Sequence, residues 1–208
     1  MIFDTIIHPN GDTTRIDYVG LLYDASNLIT QSGSVHFINQ IMRQFSPAPA
    51  IRNYEFWEES LFSELRREAG SYEIEDPSLL STITWSGADL FFVKSEDADD
   101  PAWNQDYLFL NGDFAISYTM PKIIQGKYKV FLGAPDYSEE NALVEVYLDN
   151  KKIGGLVDLT TGGSSSNPYA RKEIGTVEFQ RYEDHTIRIV SLIPGAFMWD
   201  YVRFEPVK

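Results

Sequence analysis

Trp103-Asn104-Gln105-Asp106 sets an indole, an amide and a carboxylate within four residues. A sugar ring has an apolar face and a rim of hydroxyls, so such a group can stack on the one and hydrogen-bond the other. Tyr137, and Tyr169 with Asn167, offer the same chemistry, again off the regular strand pattern. These six residues, Trp103, Asn104, Asp106, Tyr137, Asn167 and Tyr169, are the candidate ligand contacts. Trp57 and Trp85 lie in patterned segments and are assigned to the core, while Trp199, just before the last strand, fits either role.

Residue types suited to bond-breaking chemistry are poorly placed. The three histidines, His8, His36 and His185, are far apart, and His36 and His185 sit in strand-like runs where a structural role is expected. There is no Gly-x-Ser-x-Gly elbow and no Gly-x-x-x-x-Gly-Lys phosphate loop. Cysteine is absent, which removes thiolate nucleophiles, disulfides and zinc–thiolate sites. Acid pairs are plentiful: Glu58/Glu59, Glu73/Glu75, Asp99/Asp100, Glu139/Glu140 and Glu183/Asp184. A glycosidase needs two carboxylates about 5–10 Å apart across a cleft. Neighbours on a strand point to opposite faces, so adjacency does not supply that geometry. The expectation is a chain that is not an enzyme. The acidic run Glu96, Asp97, Asp99, Asp100 offers oxygen ligands but lacks the alternating spacing of a helix-loop-helix calcium loop.

Charge narrows the partners. The 208 residues carry 31 acidic and 17 basic side chains, a formal charge of −14. Such a chain repels phosphate backbones and anionic lipid surfaces, so no nucleic-acid partner is expected. No stretch approaches the ~20 apolar residues of a membrane helix, so no transmembrane segment is expected. No signal peptide is visible at Met1-Ile2-Phe3-Asp4. Apolar residues at 43% permit a substantial core, and aromatics at 14% suit pleated sheet.

The elements that must position these residues divide the chain in three. Residues 1–46 read as short strands, with a turn at Asn10-Gly11-Asp12 and an apolar run through Val35, Phe37 and Ile41. Pro47-Ala48-Pro49-Ala50 opens an extended linker over residues 47–53. Residues 54–69 predict an amphipathic helix, with Trp57, Leu61 and Leu65 on one face and Gly70 as its stop. From residue 71 onward the period is two. Phe114, Ile116, Tyr118 and Met120 alternate with Ala115, Ser117 and Thr119; Val144, Val146 and Leu148 with Glu145, Tyr147 and Asp149; Ile187 and Ile189 with Thr186 and Arg188; Val202 and Phe204 with Tyr201 and Arg203. Many half-buried strands without intervening helices predict a sandwich or barrel.

Two resemblances add to this. Gly126-Lys127-Tyr128-Lys129-Val130, then Val144 to Asn150, Ile174-Gly175-Thr176-Val177, His185-Thr186-Ile187 and Asp200-Tyr201-Val202 follow an order that resembles the galactose-binding-like jelly roll, in particular family 6 carbohydrate-binding modules. The likeness spans roughly residues 107–206; Asn150 stands where the family has glycine. It implies an all-β fold, a β-sandwich jelly roll over residues 54–208, and sugar contacts on loops at one edge. It also implies a structural calcium, with Asp200 as one ligand and Glu55 or Glu58 as another. Asp24 to Thr30, then Gly33 to Met42 and Pro47, is similar to the closing motif of fasciclin domains, with Asn39 where aspartate is usual. That makes residues 1–46 a fasciclin-like remnant and implies a cell-surface adhesion protein of Gram-negative type. The expected partner is a glycan or a cell-surface protein, in an extracellular or cell-surface setting. The alternative is a protein-interaction or spacer domain without a sugar site.

Overall fold

A computed structural model of the chain describes residues 48–100, 102–135, 140–160 and 169–207, with four short strands ahead of them. The chain divides into two compact units, Met1–Pro47 and Ala48–Lys208. In the first, β1 (Thr5–Ile7) pairs antiparallel with β2 (Thr13–Arg15), and β3 (Leu28–Thr30) with β4 (Gly33–Val35). The turn expected at Asn10-Gly11-Asp12 and most of the fasciclin-like motif lie outside the described residues.

The second unit begins with β5 (Arg52–Tyr54), α1 (Ser60–Leu65), β6 (Gly70–Glu73), β7 (Ile83–Gly87) and β8 (Phe91–Lys94). It continues through β9 (Asp106–Gly112), β10 (Phe114–Ile123), β11 (Gly126–Pro135), β12 (Leu143–Leu148) and β13 (Lys151–Asp158). The last strands are β14 (Tyr169–Phe179), β15 (Glu183–Ile193), β16 (Gly195–Trp199) and β17 (Tyr201–Pro206). One sheet has the order β13-β12-β15-β10-β7; the others are β14-β11-β17-β5 and β16-β9-β8-β6. All these ladders are antiparallel, and from β10 onward the chain passes repeatedly between sheets, as in a jelly roll.

The period-two pattern decides the core. Phe114, Ile116, Tyr118 and Met120 of β10 are buried, as are Tyr128, Val130 and Leu132 of β11 and Ile187 and Ile189 of β15. Side chains of the facing sheets meet to form one apolar cluster. Its aromatic centre joins Phe56 to Tyr118 and to Trp199, each at 5.0 Å between ring centroids. Trp199 is therefore a core residue, with 0% exposure. Trp85 lies in β7 and packs partly buried against the cluster.

The helix expected over residues 54–69 is corrected to the six residues of α1. Arg52, Asn53 and Tyr54 instead form the edge strand β5, paired with Phe204, Arg203 and Val202. The ladder to β17 claims Tyr54, and Phe56 takes a positive φ, 61°, that a right-handed helix does not contain, so the helix begins only at Ser60. Trp57 consequently stands before the helix and is 54% exposed, not core. Phe62 fills the core position instead, stacked on Phe92 at 4.7 Å.

Candidate functional site

The candidate site is built around the turn Trp103-Asn104-Gln105 that leads into β9. Asn104 and Gln105 both adopt positive φ, 57° and 61°. Two consecutive non-glycine residues in that region are costly, so the turn persists only because its surroundings fix it. The restraints are visible. The backbone N–H of Trp103 donates to Asp200 Oδ2 at 2.8 Å, and Lys94 Nζ donates to the Asn104 carbonyl at 2.5 Å. The Asn104 side-chain amide donates to Glu55 Oε2 at 2.8 Å.

Glu55 links this turn to a second aromatic. Its Oε2 also accepts from the indole N–H of Trp57 at 3.2 Å. Arg66, the residue closing α1, lies beneath Trp57 with its guanidinium carbon 4.1 Å from the ring centroid. It donates from Nε to Asp106 Oδ2 at 3.0 Å and from Nη2 to the Glu55 carbonyl at 2.8 Å. Its side chain is 10% exposed, and Nη1 is buried without a hydrogen-bond partner. Trp103 packs edge-on against Tyr201 at 6.1 Å and is 50% exposed. Two half-exposed indoles thus stand on one rigid polar lattice. Indoles held this way keep an apolar face open to a ligand without needing to be ordered on binding.

The acids of the lattice are shaped by burial. Desolvation pushes the Glu55 carboxyl above the ordinary carboxylate range, opposed by the Trp57 and Asn104 hydrogen bonds. Burial likewise raises Asp106, opposed by Arg66 and Lys94. Each is already engaged by protein donors, which suits a supporting role.

The structure brings together three of the ligand candidates and two of the calcium set: Trp103, Asn104 and Asp106 meet Glu55 and Asp200 around one turn. Glu58 goes elsewhere, accepting from the Tyr118 hydroxyl. The calcium expectation therefore meets a poor donor set. Glu55 faces two N–H donors where a cation needs oxygens, and among the described residues no three Asp, Glu or His side chains are placed to share an ion. The acidic run is also spoken for: Asp97 accepts from the Asp99 N–H and Asp100 from the Ala102 N–H, both at 2.9 Å, as local turn caps. Tyr137 and Asn167 lie outside the described residues, as does the side chain of Tyr169, whose backbone opens β14 opposite Pro135. Trp57 and Arg66 were not among the sequence candidates. Their meeting rests on the positive φ of Phe56 and on contacts from Arg66 at the end of α1, which no spacing in the sequence signals.

No protein-family model matches the chain, and no curated protein does. Among solved structures, a Paenibacillus xanthan lyase is similar over 84% of this chain, at 14% identity and a TM-score of 0.53. The fold is shared. The chain spans 15% of that enzyme's length. Smaller structures are similar as well. A family 35 carbohydrate-binding module from Clostridium thermocellum matches 67% of this chain and 99% of its own, at 13% identity and a TM-score of 0.44. A family 35 module from Paenibacillus barcinonensis matches 66% and 99%, at 16% identity and 0.42.

Proposed function

We propose that this chain is a non-catalytic carbohydrate-binding module that engages glycans through Trp57 and Trp103. The observation that carries this is a pair of half-exposed indoles flanking one carboxylate, Glu55, which accepts from the Trp57 indole N–H and from the amide of Asn104, the neighbour of Trp103. Indole faces match the apolar face of a pyranose, and the Asn104 amide with its neighbours supplies donors for ring hydroxyls. Asp106 and Arg66 hold the platform from beneath. The similarity to xanthan lyase and to family 35 modules supports this reading, as does the order of strand motifs that resembles family 6. Tyr137, Asn167 and Tyr169 are proposed as further contacts. An extracellular or cell-surface setting, with adhesion as the context, follows from the fasciclin-like motif in residues 1–46.

Pull-down on insoluble polysaccharides, followed by calorimetry with oligosaccharides from the polymer retained, tests the proposal. Trp103→Ala and Trp57→Ala should each weaken binding at least about tenfold, since stacking on an exposed aromatic is worth roughly 1–2 kcal/mol. Retention of full affinity by both variants, with the fold intact by circular dichroism, removes the indoles from the site.

A further inference from the structure

A second concavity, of about 600 Å3, opens where β5, the end of β10 and the β14–β15 turn meet. It shares no lining residue with the indole site. Residues 52–58 serve both: Glu55 and Trp57 turn to the Trp103 turn, while Arg52, Asn53 and Glu58 line this cleft. Lys122, Tyr182 and Asp184 complete it.

Its chemistry is distinct. Tyr182 is 59% exposed, with Lys122 Nζ 5.8 Å from its ring centroid. Its ring stands open on the turn between β14 and β15, with room for a ligand beside Lys122. Arg52 and Lys122 are exposed, and among the described residues neither has a carboxylate within 4.0 Å. In a chain of 17 basic and 31 acidic side chains, two uncommitted cations beside one open aromatic form a local exception. The cleft's polar wall is fixed. The buried Tyr118 donates its hydroxyl to Glu58, and Arg203 Nη1 donates to Asn53 Oδ1 at 3.3 Å. Glu58 and Asp184 can each accept from a hydroxyl, which a saccharide offers and a bare inorganic anion does not.

We propose that this cleft binds a saccharide carrying an anionic substituent, a carboxylate or a sulfate. The ring stacks on Tyr182, Arg52 and Lys122 take the anionic group, and Glu58, Asp184 and Asn53 take hydroxyls. Arg suits the bidentate contact that carboxylate and sulfate offer, and Lys adds a point charge.

Titration of the full chain, by calorimetry at 0.1 M NaCl, with oligogalacturonate, a sulfated galactan oligosaccharide and a neutral glucan oligosaccharide tests this. The salt limits repulsion from the chain's overall negative charge to about 10 Å. Binding is expected to one or both anionic probes and at least tenfold weaker to the neutral one, and it should fall as salt rises to 0.5 M. The two anionic arms separate carboxylate from sulfate recognition. Lys122→Gln and Tyr182→Ala, both exposed substitutions whose folding is checked by thermal melting, should each lower affinity about tenfold. Lys129→Gln, an exposed substitution outside both sites, should leave it unchanged. Absence of binding to both anionic probes overturns the proposal. So does equal affinity for the neutral probe in the Trp57→Ala/Trp103→Ala double variant, or full affinity kept by both Lys122→Gln and Tyr182→Ala. Because the two sets of variants are separate, failure here leaves the indole site standing, and the reverse also holds.

Discussion

Three carboxylates near one another in sequence have three different fates. Glu55 is buried and holds two indole-site donors, Glu58 receives the Tyr118 hydroxyl, and Glu59 is 1% exposed. Burial alone would raise Glu59, but the backbone and hydroxyl donors of Ser81 and Thr82 together outweigh it and hold its carboxyl below the ordinary value. Its folded pKa is depressed, so its stabilisation is full above about pH 4.3 and is lost as pH falls through the folded value. Glu59→Gln should therefore lower stability at neutral pH by about 2–4 kcal/mol and flatten the acid-side decline, measured by urea denaturation from neutral to acid pH. Glu55 has the opposite sign. Its folded pKa is raised, first by burial, so its contribution is present below the unfolded value and lost as pH rises through the folded one. Glu55→Gln should make the melting temperature less sensitive to pH just above about pH 4.3. With Glu55 already facing N–H donors, calcium and a chelator should give equal melting temperatures; a calcium-dependent rise of several degrees would contradict that donor arrangement.

At the scale of the elements, tight backbone approaches fix where strands meet. Gly154 in β13 has φ +64°, and a Cβ there would stand 1.7 Å from the Ile174 carbonyl oxygen of β14. Gly155, next to it, would meet nothing within 4 Å. Gly154→Ala should destabilise by about 2–4 kcal/mol, through strain and forced separation of the strands, whereas Gly155→Ala should change stability by less than about 1 kcal/mol. Denaturant midpoints of the two variants provide the comparison. The β12–β13 hairpin shows the same economy without glycine: Asp149 and Asn150 take positive φ at 49° and 65°, the double left-handed turn that matches strand twist. Asp149 also accepts from the Thr186 N–H at 2.9 Å and pairs with His185 at 2.7 Å. His185 is thus a structural histidine, buried and packed 4.1 Å from the Phe179 ring, in keeping with the role expected from its place at the head of a strand.

For the molecule as a whole, the apolar cluster of the second unit draws its members from residues 54–204. Ala48–Lys208 is one compact unit, and this cluster, among the described residues, lies within it. Residues 48–208 expressed alone should unfold in one cooperative transition with dispersed amide signals by NMR. A broad, non-cooperative melt would show that the first unit is required for folding.

The alternation of apolar and polar residues determined, without any coordinates, that β10, β11, β12, β15 and β17 each bury one face, because the side-chain direction of a strand repeats every two residues by local geometry. The same reasoning placed Trp103, Asn104 and Asp106 together, since they are neighbours on one turn. Only the tertiary structure decided the rest. Residues 54–59 carry a helical spacing, yet pairing of β5 with β17 claims Tyr54 and Phe56 takes positive φ, so Trp57 stands at the surface with its indole N–H on Glu55. Arg66, Trp57 and Asn104 converge through contacts across the chain, and Arg52, Lys122 and Tyr182 share a cleft although they are distant in sequence. Periodicity is a property of neighbours, whereas a site is made where strands from remote parts of the chain are brought to one edge, and their register is fixed by hydrogen bonds that no single segment contains.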